Sequence, residues 1–228
     1  MTDSDEIART IAALTADLRP VTPIASPWRR ASVWLGLIGI ICLVTGLLAD
    51  GHGLISRSMS APDLGLAMLG TLLTMVLGAI AAFQLSTPDQ SSRWALLPLP
   101  GLLLWIGASG FGCLRTWVPG GLAEISIAES QECFRFILLV SIPLSALTIF
   151  MLRRAFTLHP NLTAFTGGMA VAAAAALLLN FFHPFDASAT DIAIHFAGVA
   201  LVVGINQLAS RFLPGSAAIR SATTLGSR

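Results

Sequence analysis

The chain has no lysine and no tyrosine, and only 11% of its 228 residues are charged. Without lysine there is no phosphate-loop lysine and no Schiff-base lysine, which excludes the enzyme classes built on them. A soluble globule carries about 25% charged residues. A chain with 11% charged and 55% hydrophobic residues and a mean hydropathy of +0.80 belongs in a bilayer. The net charge of +1 leaves no electrostatic footprint for direct contact with nucleic acid. The cysteines are Cys42, Cys113 and Cys133, without a Cys-x-x-Cys pair or zinc-finger spacing. The first apolar run begins near Val33, after a polar lead, so no secretory signal is expected.

What is abundant is long apolar runs. A spanning helix needs about 20 mostly apolar residues, and six runs qualify: 33–50, 64–85, 94–114, 134–152, 162–182 and 192–212. Lipid offers the backbone no partners, so each run is expected to be helical. The fold expected is an all-α, six-helix membrane bundle. Residues 1–31 form an N-terminal cytoplasmic segment with a short amphipathic helix, 32–212 the transmembrane domain, and 213–228 a mobile cytoplasmic tail. Pro98, Pro100 and Pro143 are expected to bend spans 3 and 4. Gly168, Ala172 and Ala176 give span 5 the small-xxx-small spacing of close helix contacts.

Arginine placement sets the expected orientation. With both termini inside, ten arginines fall on inner segments and three, Arg57, Arg115 and Arg135, on outer ones. This supports an N-in, C-in topology. Arg29 and Arg30 in PWRRASVW read as a topology anchor, and Trp28, Trp34, Trp94 and Trp117 as an interfacial aromatic belt.

The interiors of the runs lack Asp, Glu and Arg, the groups by which proton relays and ion-coupled transporters show themselves. A facilitative transporter or channel is the surviving transport alternative. Polar residues do occur: Asn180 near the end of span 5, and His195, Asn206 and Gln207 in span 6. Gly107-Ala108-Ser109-Gly110 resembles the nucleophile motif of rhomboid intramembrane proteases, with His195 as a base. That family's His and Asn pair on an earlier span has no counterpart in span 2, and a small-residue packing face accounts for the motif equally. No enzymatic activity and no cofactor are expected.

Cys113 ends span 3 and Cys133 opens span 4, so both should face outside. Three readings stay open: a disulfide, thiols that sense oxidants or soft metals, or two unrelated residues. Asp191 and His195 are i, i+4, with His183 and Asp186 just before, a spacing compatible with a metal. A helix cap and an interfacial histidine is the plainer reading, and the sequence assigns no metal.

The polar lead, SDEIARTIAALTADLRPVTP, has helix-favouring acids at its start and a stop at Pro20. Ile7, Ile11, Leu14 and Leu18 recur at i, i+4, i+7 and i+11 and form one narrow stripe. A membrane-surface helix should carry a basic polar face. Here Asp3, Asp5, Glu6 and Asp17 outweigh Arg9 and Arg19, so anionic lipid repels the segment. The stripe fits a protein groove instead; packing on the chain's own short cytoplasmic loops is the alternative.

The lead IAALTADLRPVTPIASPWRRASVWL and the block ECFRFILLVSIPLSALTIFMLRRAFTLHPNLTAFTGG resemble the bacterial NrsF family, negative regulators of an extracytoplasmic-function sigma factor. The resemblance implies a multi-pass inner-membrane anti-sigma factor. It implies that the N-terminal segment, here Ile7 to Leu18, contacts the sigma factor and releases it on an outside signal. The family commonly has two outward cysteines. Cys133 matches the first; where the second stands after span 5 in a His-Cys-Pro setting, this chain reads NFFHPFDAS, keeping His183 and Pro184 without a cysteine. Cys113 is a possible spatial substitute. The expected sensing candidates are therefore Cys133, Cys113, His183 and His195.

Overall fold

The computed structural model describes residues 3–16, 23–49, 51–120, 127–182 and 189–210; for 3, 14, 51, 115–120, 127–131 and 189–191 the backbone alone is described. The elements are α1 (Asp3–Ala16), α2 (Pro27–Leu48), α3 (Gly51–Ser60), α4 (Pro62–Leu85), a 3-10 turn (Ser92–Leu96), α5 (Leu99–Gly120), α6 (Ile127–Leu152), α7 (Pro160–Leu179) and α8 (Ala189–Ala209). The described residues contain no strand. Six helical stretches are long and apolar enough to cross a membrane: Pro27–Leu48, Pro62–Leu85, Ser92–Leu114, Glu132–Leu152, Pro160–Leu179 and Ile192–Ala209. The six expected runs are all present.

Three starts are set by proline. Pro27, Pro62 and Pro160 each occupy the first turn of a helix, where a missing N–H costs nothing. Ser26 adds a side-chain cap to α2, its Oγ accepting from the Arg29 N–H at 3.4 Å. Helix α2 consequently begins six residues before the apolar run, and Arg29 and Arg30 lie inside its first turn. Pro98 and Pro100 do not kink a helix interior. They separate the 3-10 turn from α5 and open α5 itself. Helix α6 runs unbroken through Pro143.

Helix α7 is the central element, with fifteen of its twenty residues buried. Its small residues explain how neighbours approach it. A methyl group on Gly168 would stand 3.0 Å from the Val203 Cα of α8, and Ala172 and Ala176 are buried on the same helix. The expected small-residue contact face is therefore present. Helices α4 and α5 meet more closely still. A Cβ on Gly70 would lie 2.5 Å from the Trp105 nitrogen, and one on Gly101 2.5 Å from the Thr74 nitrogen. These contacts also fix the pair as antiparallel, since 70 faces 105 and 74 faces 101.

In α2 the large apolar residues away from the core, including Ile40, Leu43 and Leu47, are exposed, as a lipid-facing surface requires. Polar bonds join the helices where packing is tightest. Asn206 of α8 is buried and donates to Ser145 Oγ of α6 at 2.9 Å, as well as to the Val202 carbonyl.

Candidate functional site

Both ends of the bundle hold residues of interest. At the first end, α2 begins, α4 and α6 finish and α7 starts. Their helix termini leave carbonyls without intrahelical partners, and buried side chains supply donors. Thr157 and Thr163 both donate to the Leu85 carbonyl, at 2.8 and 3.2 Å. Arg30, 7% exposed, donates to Ser86 Oγ at 3.0 Å and to the Met151 carbonyl, with its guanidinium over the Phe83 ring at 5.1 Å. One turn further along α2, Trp34 is 0% exposed and its indole N–H donates to Thr148 Oγ1 at 2.9 Å. Arg30 and Trp34 thus fasten the start of α2 to the ends of α4 and α6.

This revises two expectations. Trp34 is not a belt residue: its ring lies in the core and its polar edge is used by Thr148. Arg30 is more than a topology anchor, because it is buried and bridges three helices. Trp28 does sit as an interfacial residue does, exposed, with its ring edge-to-face against Trp94 at 6.3 Å.

Helix α1 precedes this fastening. Its described side chains, Ser4–Thr10, Ile11–Ala13, Thr15 and Ala16, are all exposed, so the Ile7 and Ile11 part of the stripe is not buried against the rest of the chain. Ile7 and Ile11 are each 57% exposed, two large aliphatics one turn apart. The Leu14 side chain and Leu18 lie outside the described residues. Thr10 and Thr15 turn their hydroxyls onto the helix's own carbonyls, Glu6 and Ile11, at 2.9 and 2.8 Å. The exposed side chains of α1 thus include Ile7 and Ile11 with Asp5, Glu6 and Arg9.

At the other end of the bundle the sensing candidates separate. Cys133, near the start of α6, is fully buried within the core cluster that includes Ile137, Val171 and Val202. Cys113 of α5 is half-buried. The structure carries both as thiols. Helix α8 touches both of their helices, through Phe196 against Trp105 of α5 and Gly198 against Ile137 of α6. Cys42 is half-buried and packs on the core, as an apolar residue would. His195 is half-buried and lines a small cavity with Ser109 and Asn180. His183, Asp186 and the Asp191 side chain lie outside the described residues.

The structure thus holds a fully buried thiol near one end of the bundle, a buried arginine at the other and exposed aliphatics on α1. Among known families, the one described as NrsF, negative regulator of sigma F, matches residues 14–213. The chain belongs to the NrsF family. The match embraces all six spans and both Leu14 and Leu18, while Ile7 and Ile11 stand ahead of it. No curated protein and no solved structure matches the chain. As an NrsF protein it is a multi-pass membrane protein of regulatory kind, with a sigma factor as its implied partner. Sequence reading found the NrsF resemblance and the α1 stripe. It missed the Arg30–Ser86–Met151 and Trp34–Thr148 links, whose only sequence signal was a pair of polar-capable residues at the edge of an apolar run.

Proposed function

We propose that the chain is an anti-sigma factor of the bacterial inner membrane, with both termini in the cytoplasm. Helix α1 docks in a groove of an extracytoplasmic-function sigma factor and keeps it from the polymerase. Ile7, Ile11, Leu14 and Leu18 are the contact residues, and the acidic flank favours a basic rim around the groove. The observation that carries the reading is the exposure of Ile7 and Ile11 on a helix that leaves them uncovered. Fully burying an aliphatic side chain contributes about 1.5–3 kcal/mol, so two to four anchors suffice for a useful affinity after ordering costs.

Release begins outside, at the end of the bundle that holds Cys133, Cys113 and His195, with His183 as the remaining sensing candidate. Because Cys133 is buried, a reagent that reaches it must loosen the packing of α6 against α7 and α8. A shift of α6 is felt at its far end by Arg30 and Trp34, which grip Met151 and Thr148. Those two residues stand just beyond the segment that tethers α1. A differential stability of about 1.4 kcal/mol changes sigma affinity tenfold.

The test is a sigma-dependent transcription reporter in cells lacking the chain. Restoring the full chain should silence the reporter, and restoring residues 21–228 should leave it active. Silencing by the truncated chain would overturn the assignment of α1. Silencing by neither, with both at wild-type abundance in the membrane, would overturn the anti-sigma reading itself.

A further inference from the structure

Near the end of the bundle that holds His195, two small cavities of about 40 and 30 Å³ lie side by side between α4, α5, α7 and α8. They share the walls Thr71, Trp105 and Ala176. The Trp105 ring is held in place by Phe196, centroid to centroid at 5.1 Å.

Their linings differ. The larger one is edged by Ser109, Asn180 and His195. Ser109 is 3% exposed, and its Oγ has no hydrogen-bond partner among the described residues. Asn180 spends one amide proton on the Ala176 carbonyl at 2.8 Å, which leaves its oxygen and a second proton. The smaller cavity is lined by Leu102, Met169, Ala173 and Val199. Its threonines, Thr71 and Thr74, donate to their own helix at Ala67 and Gly70, both at 2.8 Å, so they contribute little beyond methyl surface.

On the wall of the larger cavity, Ser109 and Asn180 offer a guest hydrogen-bonding groups that no protein group among the described residues uses. Neither cavity is lined by a carboxylate or guanidinium among the described residues. A charged guest would lose its hydration without gaining a counter-charge. A hydrocarbon would leave Ser109 and Asn180 unsatisfied. We propose that the two neighbouring cavities together bind a small uncharged amphiphile, of the class of a short-chain alcohol. Its hydroxyl meets Ser109 and Asn180, and its apolar part passes Trp105 to lie on Met169, Ala173 and Val199.

The full chain in lipid nanodiscs, titrated with 2,2,2-trifluoroethanol and followed by fluorine NMR, tests this. The account predicts saturable binding in the wild type. Ser109→Ala, which keeps the shape, should weaken it about 3–10-fold, the worth of one hydrogen bond. Ala176→Leu, which fills the shared wall, should abolish it. Trifluoroacetate, equal in size but charged, should not bind. A linear, unsaturable response overturns the proposal. So does saturation with the same affinity in wild type and Ser109→Ala, as does trifluoroacetate binding as well as the alcohol. Binding here is expected whether or not α1 holds a sigma factor, so this result and the sigma-factor result fail independently.

Discussion

Arg30 does at residue scale what a run of apolar residues cannot. It places a cation at the edge of the bundle, where α4 and α6 leave carbonyls and hydroxyls to satisfy, and it covers the Phe83 ring. A guanidinium suits this because its fork reaches two acceptors on different helices at once. Replacing Arg30 by Ala removes both bonds and leaves the Met151 carbonyl and Ser86 without that donor. A loss of about 2–3 kcal/mol is expected from hydrogen bonds to a charged group, read as a lower midpoint in denaturant unfolding from detergent. Arg30→Lys should recover only part, since an ammonium lacks the fork. Trp34→Phe keeps the buried ring but removes the indole donor to Thr148 Oγ1, which still donates to the Leu144 carbonyl at 2.7 Å, and should cost about 1 kcal/mol in the same assay. Neither role was readable in the sequence. Thr148 is 114 positions from Trp34, and an Arg or Trp beside an apolar run looks the same whether it faces headgroups or a neighbouring helix.

Among the elements, the spans were legible because run length is a local property that the bilayer enforces. Their starts were less so: α2 begins at Pro27 because Ser26 and Pro27 form a start signal stronger than the polarity of Arg29 and Arg30. Helix α3 was not among the expected elements, since its ten residues are too few for a span. The α4–α5 crossing rests on glycine pairs at Gly70–Trp105 and Gly101–Thr74. Gly101→Val should force the helices apart and destabilise the bundle by at least about 1–3 kcal/mol, where Gly107→Val, which meets open space, should be near neutral in thermal unfolding. Of the candidate site, the α1 stripe was legible from its spacing. That Ile7 and Ile11 remain uncovered was not, because whether a stripe finds a partner within its own chain depends on the tertiary structure.

For the whole molecule, the six spans separate an end that holds Arg30 from an end that holds His195 and Cys133, and the proposed release has to cross that distance. If all six stretches cross the membrane, an even number of crossings returns the chain to the side on which it began. If the arginine-rich side is cytoplasmic, a fluorescent protein fused after Arg228 should fluoresce, and alkaline phosphatase at the same place should be inactive. The reverse pair of results would invert the molecule and put α1 out of reach of any sigma factor. The central claim, that the exposed face of α1 holds the sigma factor, is most directly tested by binding. The purified full chain in nanodiscs would be titrated with its purified sigma factor, as wild type and as the double variant Ile7→Asp and Ile11→Asp. Both positions are exposed, so unfolding midpoints should match, while affinity should fall at least tenfold as two apolar anchors are lost. Unchanged affinity in a correctly folded double variant would contradict the account.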